Sequence, residues 1–141
     1  MVLPDVNVLL YSFHPAAESH SEHKAWLDSL INGEVEFGLS PQVLNSVVRI
    51  ATNNSAFRPP YHFDHVAAFC DDLMAAPMRR MIQPGRRHWR LFCDLCRKTG
   101  ARGNVAQDAW FAALAMEHDC EWITHDADFG RFQGLRWRPP F

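Results

Sequence analysis

Four aspartates interrupt or border apolar runs, and a chain carrying them can fold only in ways that give those carboxylates a partner. Asp5 breaks the run Val2-Leu3-Pro4-Asp5-Val6-Asn7-Val8-Leu9-Leu10. Asp108 lies in the alanine-rich stretch Asn104-Val105-Ala106-Gln107-Asp108-Ala109-Trp110-Phe111-Ala112-Ala113-Leu114-Ala115. Asp126 and Asp128 follow Trp122-Ile123-Thr124-His125. A carboxylate beside that much apolar sequence is costly unless it is hydrogen-bonded, paired or bound to a cation. If folding gathers these acids, mutual repulsion raises the cost, and a hard divalent ion is the natural remedy.

At 141 residues, with 48% apolar and 21% charged residues, the chain is expected to form one globular domain with a substantial core. The net charge of −2 is unevenly spread: eight of the fourteen Lys and Arg fall between Arg79 and Arg102, where Asp94 is the sole acid. A basic middle with acids near both ends suits a protein that grips a polyanion and acts on it elsewhere; a solvated cationic helix face is the plain alternative. Arg86, Arg87 and Arg90 are the expected phosphate contacts. No run approaches the roughly 18 apolar residues needed to cross a bilayer, and the first residues do not resemble a leader, so a cytoplasmic protein is expected. Cys93-x-x-Cys96 falls at helical spacing with Trp89 and Phe92, which predicts core packing in preference to redox or zinc chemistry. His20-x-x-His23 has no matching acid or cysteine nearby and reads as an exposed helix face. His125 is either a substrate contact or an ordinary loop histidine.

The pattern predicts strands at Val2–Pro4, Val35–Gly38, Arg79–Ile82 and Glu121–Thr124, with a short edge strand at Leu135–Trp137. Between them it predicts a helix over Val6–Phe13 and another over His20–Ile31 with Ala25, Trp26, Leu27, Leu30 and Ile31 on its apolar face. A third starts at Ser40-Pro41, a cap followed by a first-turn proline. Asp64 is expected to cap a helix to Ala76, Gly100 to close one over Arg86–Thr99, and Asn104 to cap the one bearing Asp108. Alternation of strand and helix implies a three-layer α/β/α domain with a mainly parallel sheet. Sites in such sheets form beyond the carboxyl ends of the strands, where Asp5 and Asp126 are expected.

Two carboxylates at strand ends and one from a closely packed helix would suit Mg²⁺ or Mn²⁺ and metal-assisted phosphodiester hydrolysis. Each acid also has a purely structural reading: Asp5 as a helix cap, Asp108 as a surface residue, Asp126 and Asp128 as an Asx-turn and a cap. Asn7 could orient a carboxylate, and Thr124 could hydrogen-bond a phosphate or Asp5.

Leu3-Pro4-Asp5-Val6-Asn7-Val8-Leu9, Asp108 to Ala115, and Thr124-His125-Asp126-Ala127-Asp128-Phe129 resemble, in order and spacing, the motifs of PIN-domain nucleases, and in particular the VapC-like ribonuclease toxins of toxin–antitoxin modules. The resemblance runs from residue 2 to about residue 138. It implies a PIN-like sandwich, Mg²⁺- or Mn²⁺-dependent RNA cleavage, a homodimer, and an antitoxin that blocks the site. By position it makes Asp5, Asp108 and Asp126 the metal-site acids, with Asp128 a fourth. One departure stands out: Ser46, in Ser46-Val47-Val48-Arg49, occupies a position where the family commonly has Glu. That favours, as an alternative, a catalytically impaired domain that binds RNA or a protein partner.

Overall fold

The first strand is set by the short apolar stretch before Asp5. In the computed structural model, which describes residues 1–141, Val2–Pro4 forms β1, and its parallel register pairs Leu3 with Trp122 and Pro4 with Ile123 of β4 (Glu121–Ile123). On its other side β1 pairs with β2 (Phe37–Leu39), and β2 pairs with β3 (Arg79–Met81). β5 (Trp137–Arg138) closes the far edge, giving a five-stranded, all-parallel sheet in the order β3-β2-β1-β4-β5. Sequence pattern expected β2 to begin at Val35 and β5 at Leu135; Val35 is instead 75% exposed, and pairing starts two residues later in both strands.

Helices α1 (Val6–Phe13), α2 (His20–Ile31), α3 (Pro41–Ala51) and α4 (Phe63–Ala75) carry the crossovers from β1 to β2 and from β2 to β3. α1 packs on α2 and α3, and α3 on α4. The chain then returns past β1 to β4 through α5 (His88–Thr99) and α6 (Asn104–Glu117), which pack on each other. Right-handed crossovers in opposite directions put α1–α4 on one face and α5–α6 on the other. The result is a three-layer α/β/α sandwich around a parallel sheet, as the alternation of strand and helix implies. Strand order reverses between β1 and β4, and α/β sheets open their binding crevice at such a reversal.

Apolar spacing explains the helices, and hydrogen bonds explain their ends. Val43 and Val47 of α3 are buried, whereas Leu44 and Ile50 reach only the margin of the core. Gly100, at φ 63°, closes α5 in the left-handed conformation that suits glycine, and its N–H donates to the Cys96 carbonyl. α5 begins at His88 and not at Arg86, because the backbone N–H groups of Gly85 and Arg87 each donate to the Glu117 carboxylate at 2.8 Å. α4 is capped by His62, whose Nδ1 accepts from the Asp64 N–H, so Asp64 is a first-turn acid and not the cap. Gly103 holds the cap position of α6, which makes Asn104 its first helical residue.

Three expected placements differ. Only His23 and Leu27 of α2 are buried, so its apolar face is narrower than the sequence suggests. His23 is 2% exposed: its Nδ1 bonds the Ser19 carbonyl, and its ring packs against Tyr11, His125 and Phe141. Trp89 is 65% exposed, and Cys93 and Cys96 are half-buried, so this stripe of α5 lies outside the core proper. All four cysteines are free thiols. No helix is long and apolar enough to cross a membrane.

Candidate active site

The site grows from the ends of β1 and β4. Asp5 leaves β1 with its N–H donating to the Ile123 carbonyl at 2.9 Å, so the strand pairing itself fixes its Cα. Its Oδ1 accepts from the Val6 N–H at 2.6 Å and caps α1. Its Oδ2 accepts from the Thr124 hydroxyl, also at 2.6 Å. The Thr124 Oγ1 in turn accepts from the Asp126 N–H at 3.0 Å. One buried hydroxyl therefore ties both acidic strand ends together. Asp126 Oδ1 accepts from the Asp128 N–H at 2.8 Å and caps the short 3₁₀ turn Ala127–Arg131. The capping readings of Asp5 and Asp126 are thus correct and coexist with their place in the site.

Asp108 arrives from the other layer. Ala109, Ala112, Ala113 and Ala115 are fully buried, so α6 lies close on the sheet. One turn beyond Asp108, the Phe111 ring stacks on Trp122 of β4 at 5.5 Å and 16°. Phe129, just past Asp126, packs on the same indole at 5.5 Å. Trp122 is fully buried and so couples the helix that carries Asp108 to the turn that carries Asp126. Replacing such a residue by Ala typically costs about 3–5 kcal/mol, and here it would loosen both acids together.

Asp5, Asp108 and Asp126 line one cleft of about 410 Å³, which Asn7 from α1 and Ser46 from α3 also line. Ser46 is 8% exposed and lines the same cleft as the three acids. Asp128 does not line the cleft: its carboxylate is exposed and pairs with Arg131 at 3.0 Å. Its negative charge nevertheless adds to the field on Asp108.

The electrostatics are those of an under-neutralised acid cluster. Burial pushes Asp5 up to about 6; the Thr124 and Val6 hydrogen bonds oppose this, and the charges of Asp108 and Asp126 add to it. Asp108 is also raised, first by burial and then by Asp126, with Arg131 partly offsetting both. Of the nearby cations, Arg131 is paired with Asp128 and Arg97 with Asp94 at 3.7 Å, which leaves Arg49 as the one cation lining the cleft. The donor set is all oxygen, and it is short of positive charge, which fits a hard divalent ion in chemistry. In spacing it is not a finished cage, because no three His, Cys, Asp or Glu side chains are grouped to hold an ion as they stand.

The basic segment is divided between the two ends of the α5–α6 hairpin and β3. The Arg87 guanidinium donates to the Glu117 carbonyl at 2.9 Å. Glu117 is nine residues along α6 from Asp108, roughly 13 Å at the helical rise. Arg86, Arg87 and Arg90 therefore sit at the end of the α5–α6 hairpin away from Asp108. Arg97, Lys98 and Arg102 flank the turn into α6, at the end near Asp108. Arg80 is paired with Glu36 at 2.8 Å. Sequence reading missed Arg49, Asn104 and Gln107, which line the cleft. Spacing carried that signal: Asn104, Gln107 and Asp108 stand at i, i+3 and i+4, on one helical face.

Comparison with known proteins agrees with this architecture. Residues 2–135 match the family profile of the PIN domain. The chain is 36% identical over 140 residues to VapC ribonuclease Mb2897 of Mycobacterium bovis, covering 99% of this chain and 95% of that protein. It is 34% identical to Ribonuclease VapC37 of Mycobacterium tuberculosis, with coverage of 99% and 97%. Among solved structures, VapBC2 from Rickettsia felis, bound to a DNA fragment from its promoter, superposes with a TM-score of 0.70 at 14% identity, covering 99% of this chain and 98% of that one. Mycobacterium tuberculosis VapC20, a Sarcin-Ricin loop cleaving toxin, does so with a TM-score of 0.68 at 13% identity and coverage of 99% and 100%. At those identities the structural likeness speaks for the fold.

Proposed function

Since the chain belongs to the PIN-domain family and is homologous to VapC ribonucleases, we propose that it is a Mg²⁺- or Mn²⁺-dependent endoribonuclease and the toxin of a type II toxin–antitoxin module. The observation that carries this reading is the shared, under-neutralised cleft of Asp5, Asp108 and Asp126 at the strand-order reversal. When bound there, a hard divalent ion would offset carboxylate repulsion, polarise a phosphate oxygen and acidify a water. Asp5, Asp108 and Asp126 are the residues that would hold it. Val6 and Thr124 fix the Asp5 carboxylate, and each of its oxygens keeps acceptor capacity toward the cleft. Asn7, Ser46 and Gln107 offer neutral hydrogen-bonding groups along the same walls, and Arg49 offers a cation to a phosphate. A homodimer and a cognate antitoxin belong to this reading; the similarity to a neighbour solved as VapBC2 supports the antitoxin.

The test is cleavage of structured and single-stranded RNA, and of DNA of the same sequence, across a titration of Mg²⁺ and Mn²⁺. We expect RNA cleavage that chelation abolishes and that is lost in Asp108→Asn with the fold intact by circular dichroism. Undiminished cleavage in the chelator, or by Asp108→Asn, would refute the site. A second reading is favoured by Ser46 and by the incomplete ligand spacing: a domain that binds RNA or a protein partner without cutting. Metal-independent RNA binding with no cleavage at any ion concentration would select it.

A further inference from the structure

A second cavity, of about 450 Å³, adjoins the acidic cleft and shares Ser46 and Gln107 with it. It lies between α3, α5 and α6. Gln42 and Asn45 reach it from the same face of α3 as Ser46, Phe92 reaches it from α5, and Trp110 from one turn past Gln107 on α6. None of these groups carries a charge, in contrast to the cleft beside it. We propose that this cavity is a nucleobase subsite that holds an unpaired RNA base next to the scissile phosphate and sets which base is accepted; the proposal rests on the ribonuclease reading above.

Three observations lead there. First, the chemistry of the walls changes abruptly at Ser46 and Gln107, from carboxylates to amides and aromatic rings. A neutral lining neither attracts phosphate nor holds a cation, so the neighbour of a phosphate site that fits it is a planar, neutral, hydrogen-bonding group. Second, each amide presents a donor and an acceptor side by side, the pairing that reads base edges. Gln42 is already oriented, since its Oε1 accepts from the Ser40 hydroxyl at 2.9 Å. Third, the aromatic wall is rigid. Trp110 is held edge-to-face by His88 at 4.2 Å and by Phe92 at 5.4 Å, and its carbonyl bonds His88 Nε2 at 3.0 Å. Unpaired RNA bases are bound by aromatic stacking combined with hydrogen bonds to their edges. A volume of 450 Å³ lies in the range usual for small-ligand sites, about 300–1,000 Å³.

The experiment sequences the ends left by wild type, Asn45→Ala, Gln42→Ala and Trp110→Phe acting on a random-sequence RNA pool with Mn²⁺. Binding of A, C, G and U hexanucleotides is measured in chelator by Trp fluorescence. Asn45 is exposed and Trp110→Phe keeps an aromatic ring, so these variants should fold. We expect wild type to prefer one base at a fixed position beside the cut. Asn45→Ala and Gln42→Ala should lower cleavage of the preferred sequence roughly tenfold, the scale of one good base contact, and leave other sequences unchanged. Trp110→Phe should weaken all bases alike. Cutting with no base preference, or with a preference that no variant moves, overturns the subsite and leaves the ribonuclease standing. Absence of cutting overturns the ribonuclease. The hexanucleotides then decide the subsite alone: a base preference shifted by Asn45→Ala sustains it, and no binding ends it. If the variants change only the oligomeric state, the cavity is a contact between protein chains and the proposal fails.

Discussion

Asp5→Asn should stabilise the metal-free protein at neutral pH and leave it nearly unchanged in mild acid. In the folded chain the Asp5 carboxyl titrates at about 6 against an ordinary value of 3.8, chiefly because it is 5% exposed. The folded state thus binds this proton more tightly than the unfolded chain does. Stability from this group is greatest below 3.8, declines as pH rises through that interval, and reaches its full penalty above about 6. A difference of about two pKa units corresponds to about 3 kcal/mol. The amide removes the charge and keeps the shape. It gives up one acceptor, so Thr124 must accept from the new Nδ2, a change that costs about 1 kcal/mol. The expected net gain is about 1–3 kcal/mol at pH 7.5, or roughly 2–4 °C in Tm per kcal/mol. Urea unfolding by Trp fluorescence, in chelator at pH 4.5, 6 and 7.5, measures it. Saturating Mg²⁺ should reverse the order at pH 7.5, since an ion that binds only the folded wild type stabilises it by mass action. An Asn variant less stable than wild type at pH 7.5 without metal, or a difference that does not change with pH, would refute the account of Asp5.

Three further outcomes are expected. Ser46→Glu should tighten Mn²⁺ binding by calorimetry, because position 46 lines the same cleft as the acids; unchanged affinity in a folded variant would mean that a carboxylate there does not reach the ion. Replacing Arg97, Lys98 and Arg102 by Gln should reduce the salt dependence of RNA binding by roughly one unit per lost phosphate contact, and more than replacing Arg86, Arg87 and Arg90 does; the reverse ranking would put the RNA path at the far end of the hairpin. Glu117→Gln should destabilise the fold by about 1.5–3 kcal/mol through a lost charge-assisted bond to Gly85 or Arg87. Burial raises the Glu117 pKa, but the bonds from Gly85 and Arg87, helped by His118 and His88, outweigh it and hold the pKa below the usual value. Its contribution should therefore be present at neutral pH and fade as pH falls through the folded pKa, the opposite trend to Asp5.

Periodicity made the layers legible, because the apolar positions of α3, α6 and β4 answer to burial alone. The junction acids were legible for the same reason: Asp5 breaks a run of buried residues, and Asp126 follows the buried Trp122-Ile123-Thr124. Adjacency of β1 and β4 was not legible, since 119 residues separate Asp5 from Thr124 in the bond that joins them. The placing of the basic segment was not legible, because charge says what a residue can bind and not which end of a helix hairpin it occupies. Only the Glu117 clasp on Gly85 and Arg87 fixes that. α5 did mislead. Trp89 and Phe92 carry helical spacing, yet α5 meets only α6 closely, so one stripe of it stays at the surface. His23 was misread because a histidine between polar residues gives no sign that Tyr11, His125 and Phe141 will enclose it.

The cap and the site are one device at Asp5. A carboxylate placed only for a metal would be free to turn away from its neighbours in the empty protein. Here Val6 and Thr124 hold both oxygens, so repulsion from Asp108 and Asp126 cannot be relieved by rotation. It adds instead to the raised proton affinity that burial gives Asp5. The backbone beneath is held by β-pairing at Ile123, and Trp122 holds Phe111 and Phe129 on either side. Relief can then come only from a proton or a cation in the cleft. Below about 6 the proton suffices, and above it only the cation can. Ion affinity should therefore fall as acid is added, with protons released on binding, and the stored repulsion is what the ion gains by entering. Ser46 moderates this arrangement: a fourth carboxylate would attract the ion more strongly but would add to the repulsion that the metal-free fold must bear.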